Sequence, residues 1–305
     1  MSELPSGVQR NYPLSRLTTI RTGGCAQFFA RPQTVEELER LLGWAAAAGI
    51  QVGVVGSGSN LLVADEGVRG LVVKLDGQLQ RMELDGARLV CGGGARLPSV
   101  AARAARADLS GMEFGVNIPG SVGGAVRMNA NAYGGELAKV LEWVDVVSAR
   151  GTERREAGEL GFAYRRSNLA PGEVVAQVSF ALQPADGAAV KDVLAQMRRQ
   201  RKQAQPSGIK TFGSTFKNPD DPRAQGMTAG QLLEAVGCRG LAIGDASFST
   251  KHAIFVQNGG EARTADVVAL MLEGARRVRE RYGVELEPEV QPLGEVGLPP
   301  EWSKR

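Results

Sequence analysis

The spacing of apolar residues along the chain predicts its helices. Between residues 264 and 282 apolar side chains recur three, four and seven positions apart, which places them on one helical face. Thr34 followed by Glu37 has the form of a capping box, and Gly49 is a typical stop signal. The helices are predicted at residues 34–48, 97–107, 186–203, 228–236 and 264–282.

Short apolar runs between these helices predict strands. Asp85-Gly86 is a strong hairpin signal between two of the runs. The strands are predicted at residues 51–55, 61–64, 70–75, 79–84, 88–91, within 141–182, and at 252–257. The first part of the chain is therefore mixed, with strands and a few helices, and does not show a regular βαβ alternation.

The character of the chain changes near residue 186, where strands give way to longer helices. A length of 305 residues suits about two domains. We therefore predict one domain at residues 1–188, a second at 189–297, and a short tail at 298–305.

Composition limits the classes of function. The net charge is +3, from 36 basic and 33 acidic residues, which is too small to indicate nucleic-acid binding. No apolar run is long enough to predict a membrane span, and no signal peptide is evident. Three widely spaced cysteines without a C-x-x-C pair suit a reducing compartment and argue against a metal site. These features predict a cytoplasmic protein, with no obligate protein partner indicated.

Two glycine-rich loops are candidates for phosphate binding, at residues 56–62 and 115–136. Successive backbone N–H groups in such loops bind anions without needing a lysine. The first loop lacks the third glycine of the dinucleotide fingerprint, so by itself it also fits a tight surface turn. The second loop has too few large apolar groups to pack against itself, and it therefore predicts a bound ligand.

The segment GSTFKNP at residues 213–219 places a hydroxyl, an ammonium and a carboxamide close together. A nucleophilic serine needs a histidine held by a carboxylate, and the chain has one histidine, His252. No Gly-x-Ser-x-Gly elbow surrounds Ser214, which weakens the hydrolase interpretation. The alternative role for Ser214 is proton donation in an anion site.

Five segments resemble, in sequence and in order, those of the UDP-N-acetylenolpyruvoylglucosamine reductase family. The segments are GSGSNLL at 56–62, NIPGSVGGAVRMNANAYGGE at 117–136, YRRS at 164–167, GSTFKNP at 213–219 and ELEPEV at 285–290. The resemblance runs from about residue 19 to residue 290. It implies an FAD-binding domain of the vanillyl-alcohol-oxidase type and a smaller α+β substrate-binding domain.

The resemblance implies a reductase of peptidoglycan synthesis. NADPH would reduce a non-covalent FAD, and the flavin N5 would deliver hydride to the methylene carbon of UDP-N-acetylglucosamine enolpyruvate. Protonation of the adjacent carbon would then give UDP-N-acetylmuramate. Flavin oxidases or dehydrogenases with the same FAD-binding fold, and non-catalytic FAD- or UDP-sugar-binding proteins, are the competing interpretations.

The resemblance also assigns roles to residues of this chain. Ser214 matches the family's proton donor, Arg165 its catalytic arginine and Glu289 its catalytic glutamate, and the neighbouring Arg166 is the competing arginine. Lys202, Lys217 and Asn218 match substrate contacts. The cofactor contacts are predicted to be Gly56, Ser57, Gly58, Ser59, Asn60, Leu61, Pro119, Gly120, Ser121, Gly123, Gly124 and Asn129.

One departure places the chain in a subgroup of that family. Some members carry an extra loop with a tyrosine that closes over the substrate. No tyrosine lies between Tyr164 and Tyr282 here. The chain therefore resembles the shorter, loop-lacking type.

Overall fold

The computed structural model describes residues 4–204 and 210–303. The chain divides into two compact units. The first comprises Met1–Arg10, Phe28–Ser57 and Arg69–Arg201, and the second comprises Asn11–Gln27, Gly58–Val68 and Lys202–Arg305. This division differs from the one drawn on the sequence, because two early stretches belong with the C-terminal part. A shift in local composition does not reveal such an exchange of short segments.

The five predicted helices form close to the predicted positions. The helices are α1 (Val35–Ala47), α2 (Leu97–Arg106), α3 (Val122–Arg127), α4 (Gly187–Ala204), α5 (Ala229–Ala235), α6 (Thr264–Tyr282) and α7 (Pro300–Ser303). The two short helices α3 and α7 were not predicted. The Thr34 hydroxyl accepts a hydrogen bond from Glu37 N at 3.2 Å, as predicted, but the Glu37 carboxylate accepts from Gln33 N at 2.8 Å. No helix in the described ranges has the length and apolarity needed to cross a membrane.

The strands are short, and several are only two or three residues long. In the N-terminal half they are β1 (Gln9–Pro13), β2 (Cys25–Ala30), β3 (Val52–Val54), β4 (Leu61–Val63), β5 (Val68–Val73), β6 (Met82–Asp85), β7 (Arg88–Gly92), β8 (Leu109–Ser110), β9 (Asn131–Ala132) and β10 (Gly135–Glu136). Further along they are β11 (Leu141–Ser148), β12 (Gly151–Glu156), β13 (Val174–Ala181), β14 (Gln183–Pro184), β15 (Lys210–Thr211), β16 (Ala242–Ile243), β17 (Ala246–Phe248), β18 (Val256–Asn258) and β19 (Gln291–Leu293).

The first unit is built on an antiparallel sheet in the order β12–β11–β13–β7–β6. Helices α2 and α3 contribute buried residues to a core with this sheet, including Leu97, Val122 and Phe180. A second sheet, in the order β1–β2–β5–β3, packs with α1 around Leu38 and Val73. Parallel pairing of β3 with β5 places the carboxyl ends of these two strands at one edge.

The second unit packs α5 and α6 with the antiparallel sheet β15–β18–β17–β16. Phe216, Phe248 and Leu270 are among the residues buried in its core. The parallel pair β4–β19 aligns Leu61 with Gln291, which brings residue 61 and the C-terminal part of the chain together. Long-range pairing of this kind explains why residues 58–68 belong to the second unit.

Two local predictions need correction. The strand expected at 252–257 forms only as β18, and residues 253 and 254 form a turn. The expected separate tail contains α7, where Trp302 stacks edge-on against Phe216 at a ring distance of 5.7 Å, and residues 304–305 lie outside the described ranges. An apolar anchor close to a terminus is enough to hold a short segment on a core.

Candidate active site

The first glycine loop begins in the first unit, directly after β3. A Cβ atom on Gly56 would lie 2.1 Å from the Ser121 hydroxyl oxygen, so only glycine allows this approach. Ser121 is the N-terminal cap of α3, and its hydroxyl accepts a hydrogen bond from Gly124 N at 3.3 Å. The start of the first glycine loop therefore packs directly on the second.

The second glycine loop leaves open space at two of its glycines. A Cβ on Gly124 would meet only the Ser121 hydroxyl at 3.3 Å, and one on Gly120 would meet only the Ile118 side chain at 3.7 Å. Gly123 differs, because its Cβ would lie 3.2 Å from the Gly93 carbonyl oxygen. Position 123 thus faces the backbone of Gly93 and Val175, whereas positions 120 and 124 each have one side-chain neighbour, which leaves room for a ligand beside the exposed Pro119.

Asn129 serves the protein's own structure. Its side chain is 1 % exposed, and its amide nitrogen donates to Glu136 Oε1 at 2.7 Å and to the Ala163 carbonyl at 3.3 Å. Its amide oxygen accepts from Ala138 N at 3.2 Å. These bonds hold the Asn129 side chain within the protein's own structure, and its contact with the cofactor remains a prediction.

Arg165 lies in a tight turn next to that asparagine. Ala163 and Arg166 exchange two backbone hydrogen bonds of 3.0 and 3.1 Å, and Arg165 between them has a φ of 55°. Its guanidinium donates to Asn131 Oδ1 at 3.1 Å and lies 5.3 Å from the centroid of the Tyr164 ring. Left-handed backbone is costly for a residue with a side chain, and such strain is concentrated at functional sites.

Ser214 and Glu289 lie on neighbouring extended segments of the second unit. Glu289 N donates to the Thr215 carbonyl at 2.9 Å, and Lys217 N donates to the Glu287 carbonyl at 2.8 Å. Both Ser214 and Glu289 are half-buried. The structure therefore brings together two residues that are 75 positions apart in the sequence.

The rest of the first glycine loop lies next to both of these segments. Ser59 O accepts a hydrogen bond from Gly213 N at 2.8 Å, and Asn60 O accepts from Gln291 N at 2.9 Å. The Asn60 amide nitrogen also donates to the Glu289 carbonyl at 3.0 Å. A Cβ on Gly58, with φ 67°, would lie 1.9 Å from Leu17 O, so the turn itself requires glycine.

One buried polar atom of Asn60 is available to a ligand. Its amide oxygen is buried and, in the part of the chain that the structure describes, has no hydrogen-bond partner. A Cβ built on Gly213, next to Ser214, would lie 3.9 Å from this oxygen. Because an unsatisfied buried acceptor is costly, this atom fits a donor supplied by a ligand.

Comparison with known proteins identifies the family. A family model described as "UDP-N-acetylenolpyruvoylglucosamine reductase, C-terminal domain" matches residues 205–293, and an FAD-binding-domain model matches residues 26–156. UDP-N-acetylenolpyruvoylglucosamine reductase 2 of Symbiobacterium thermophilum is 43% identical over 292 residues, covering 95% of this chain and 93% of that protein. The chain belongs to the UDP-N-acetylenolpyruvoylglucosamine reductase family.

Two further relatives agree with this assignment. The UDP-N-acetylenolpyruvoylglucosamine reductase of Acidiphilium cryptum is 40% identical over 300 residues, covering 98% of this chain and 94% of that protein. The crystal structure of the reductase from Thermus caldophilus matches with a TM-score of 0.79 and 39% identity, covering 93% of this chain and 97% of that one. The fold class predicted from the sequence, an FAD-binding domain followed by the family's C-terminal domain, is confirmed.

The residues of this reductase-family chain fit FAD. The two glycine loops pack together at Gly56. The second loop leaves open space at Gly120 and Gly124. Such loops suit a pyrophosphate, whose oxygens accept from backbone N–H groups. Among the described residues no cluster of potential metal ligands is present.

The three predicted substrate contacts have different surroundings. The Lys217 ammonium pairs with Glu287 Oε1 at 2.5 Å, and the Asn218 amide oxygen accepts from Ala229 N at 3.2 Å, at the start of α5. Lys202 is exposed near the end of α4. Their contacts with substrate remain predictions.

Sequence reasoning missed several residues that support the site. Glu287 was assigned no role from the sequence, and it is half-buried and paired with Lys217. Asn131, which lies inside the matched glycine segment, and Lys74 were likewise assigned no role. His252 is the one histidine of the chain and was the base required by the hydrolase interpretation of Ser214. Its Nδ1 lies 3.2 Å from Glu234 Oε1.

Proposed function

We propose that the chain reduces UDP-N-acetylglucosamine enolpyruvate to UDP-N-acetylmuramate with NADPH, and that Arg165, Ser214 and Glu289 carry the chemistry on the substrate. The family assignment supports the reaction, an oxidoreductase step of peptidoglycan synthesis. The three widely spaced cysteines suit a reducing compartment and support a cytoplasmic location. Lys202, Lys217 and Asn218 are assigned to the substrate.

The two glycine loops would hold the cofactor. Gly56, Ser57, Gly58, Ser59, Asn60 and Leu61 form the first contact region, and Pro119, Gly120, Ser121, Gly123 and Gly124 form the second. Bound FAD supplies the hydride that reduces the carbon–carbon double bond. The open side of Gly120 and Gly124 supports this placement.

Arg165 would bind the carboxylate of the enolpyruvyl group. A planar guanidinium matches a carboxylate geometrically and stabilises the negative charge that spreads over it during reduction. The turn at 163–166 and the bond to Asn131 support this role, because they fix the direction of the side chain. A fixed donor stabilises developing charge without first having to reorganise.

Ser214 would donate the proton to the carbon that bears the carboxylate. A hydroxyl is a weak acid in water. It can therefore donate its proton only when it is positioned next to the carbon on which negative charge develops. Glu289, on the neighbouring segment, would polarise the same region or orient the serine. The pairing of residues 215–217 with residues 287–289 supports a joint role for the two side chains.

A single observation carries this assignment. The backbone at Ser59 and Asn60 bonds both to the segment of Ser214 and to the segment of Glu289, through Gly213 and Gln291. A loop with the family's cofactor sequence is thereby tied to both predicted catalytic residues within one unit. Proton donor and glutamate would thus be placed by the element that holds the cofactor.

An anaerobic titration tests the proposal. The purified protein should be yellow, NADPH should bleach it, and one equivalent of UDP-N-acetylglucosamine enolpyruvate should restore the colour. A protein whose colour returns with oxygen and not with the enolpyruvyl sugar would be an oxidase. A colourless protein that binds no added FAD would contradict the flavin assignment itself.

A further inference from the structure

Lys74 lies at the edge of the sheet where the first glycine loop begins. Strands β3 and β5 run parallel, with Val54 paired to Val73. The chain leaves β3 toward Gly56 and leaves β5 at Lys74, so both residues follow the carboxyl ends of adjacent strands. Ligands of α/β sheets characteristically bind at such edges.

The Lys74 ammonium donates a hydrogen bond to the Gly56 carbonyl oxygen. The carbonyl and the following N–H of a trans peptide point in opposite directions, and the described chain contains no cis peptide. A carbonyl of Gly56 held by Lys74 therefore turns the N–H of Ser57 away from the lysine. The lysine fixes which way this peptide of the loop faces.

The same glycine also packs closely against the second loop. Its Cα approaches the Ser121 hydroxyl so closely that a Cβ would lie 2.1 Å from it. Ser121 in turn caps α3 by accepting from Gly124 N. Gly56 thus contacts both Lys74 and the second glycine loop, which contains Gly120 and Gly124.

The surroundings of Lys74 explain why its ammonium needs an acceptor within the protein. The side chain is half-buried, and burial lowers the pKa of its ammonium. Arg31 and Arg96 lower that pKa further, while Asp76 raises it. A half-buried ammonium is stabilised by a hydrogen bond to a protein acceptor, and the Gly56 carbonyl supplies one.

We propose that Lys74 is a positioning residue for the cofactor: its bond to the Gly56 carbonyl holds the first glycine loop in the orientation that binds the FAD pyrophosphate. The inference rests on the FAD-binding role of the first unit. Lys74 acts through the backbone and does not itself bind the phosphate.

The test measures FAD affinity of the full-length protein after its flavin has been removed. Lys74→Met keeps the length and apolar stem of the side chain and removes the donor. Because Lys74→Met loses a charge-assisted hydrogen bond, the dissociation constant of this variant for FAD should rise about 10- to 100-fold. Lys74→Arg, which retains a cationic donor, should recover most of the affinity. Lys139→Met removes an exposed lysine of the same unit and serves as the matched control.

Salt dependence separates positioning from direct phosphate contact. Titrations of FAD at several salt concentrations should give the same slope for the wild type and Lys74→Met, since the lysine does not neutralise a phosphate. A smaller slope in the variant would overturn the positioning role in favour of direct contact. Unchanged FAD affinity would overturn the proposal altogether.

Two controls keep these outcomes distinct from other failures. The flavin-free variants should melt within a few degrees of the flavin-free wild type, and only the stabilisation by FAD should shrink. If Lys74→Met also melts at much lower temperature without FAD and Lys74→Arg restores neither property, the role is structural and the proposal fails. A wild-type protein that binds no FAD would instead contradict the proposed function.

Discussion

The segment of Ser214 and the turn of Arg165 are held in place in different ways. Backbone hydrogen bonds fix the serine segment, from Gly213 N to Ser59 O and from Glu289 N to Thr215 O. The arginine turn also has two backbone bonds, between Ala163 and Arg166, but it has side-chain support in addition, from the Asn129 amide on the Ala163 carbonyl and from the Asn131 amide on the guanidinium. Replacing a supporting side chain should therefore disturb the arginine turn more than the serine segment.

The largest expected effect separates the two half-reactions at Ser214. Ser214→Ala should leave reduction of the flavin by NADPH within a few-fold of normal, because that step needs no proton at the substrate carbon. Reoxidation by the enolpyruvyl sugar should slow about 10²–10⁴-fold, the usual contribution of a positioned acid. Stopped-flow absorbance measures both steps. Equal slowing of the two would show that Ser214 supports ligand placement or the fold.

Arg165 should show the next largest effect. Arg165→Ala should retain FAD and reduce turnover by about 10²–10³-fold, as the carboxylate loses its counter-ion. Arg166→Ala is the matched control, because Arg166 is exposed in the same turn. Near-normal turnover for the first variant together with a large loss for the second would reassign the catalytic arginine.

Loss of the cofactor should affect both half-reactions alike, unlike a substitution in the serine segment. Gly124→Val should purify with roughly tenfold less FAD than the wild type, because its side chain enters the space open to a ligand. Any remaining activity should be slowed equally in both half-reactions. Gly123→Val, which crowds the Gly93 carbonyl, should also lower the melting temperature of the flavin-free protein. Full flavin content in Gly124→Val would place the cofactor elsewhere.

Asn129 tests the dependence of the arginine turn on side chains. Asn129→Ala should destabilise the protein by about 1–3 kcal/mol, because it leaves buried partners unsatisfied. It should also lower kcat/KM by about tenfold with FAD still bound. Urea unfolding and steady-state kinetics provide the two measurements. A change in stability alone would mean that the turn keeps its shape without this side chain.

The smallest expected effect concerns a surface carboxylate of α6. Hydrogen bonds from Arg276 and Arg277 lower the pKa of Glu273 to about 2, against an ordinary value near 4.5. Its stabilisation is present above pH 4.5 and is lost as pH falls toward 2. The side chain is partly exposed, so Glu273→Gln should cost less than about 1 kcal/mol at pH 7. Urea unfolding at pH 7 and pH 3 should show this difference shrinking at the lower pH.

The sequence by itself determined the five longer helices and the motifs, but not the short helices α3 and α7 or the strands β1 and β2. Apolar spacing located α6 at both ends, and Thr34 marked the start of α1, because helix periodicity and capping are local properties. The order of five short segments was enough to identify the family. Local patterns of this kind survive in the fold because each depends on residues within a few positions of one another.

The tertiary structure decided which of these residues work together. It paired Thr215 with Glu289, placed residues 58–68 in the second unit, and turned the Asn129 amide toward the Ala163 carbonyl. It also placed Lys74 beside the Gly56 carbonyl, through strands that pair only when the sheet forms. These contacts join residues far apart in the chain, and their geometry follows from sheet pairing and core packing, which no local pattern encodes.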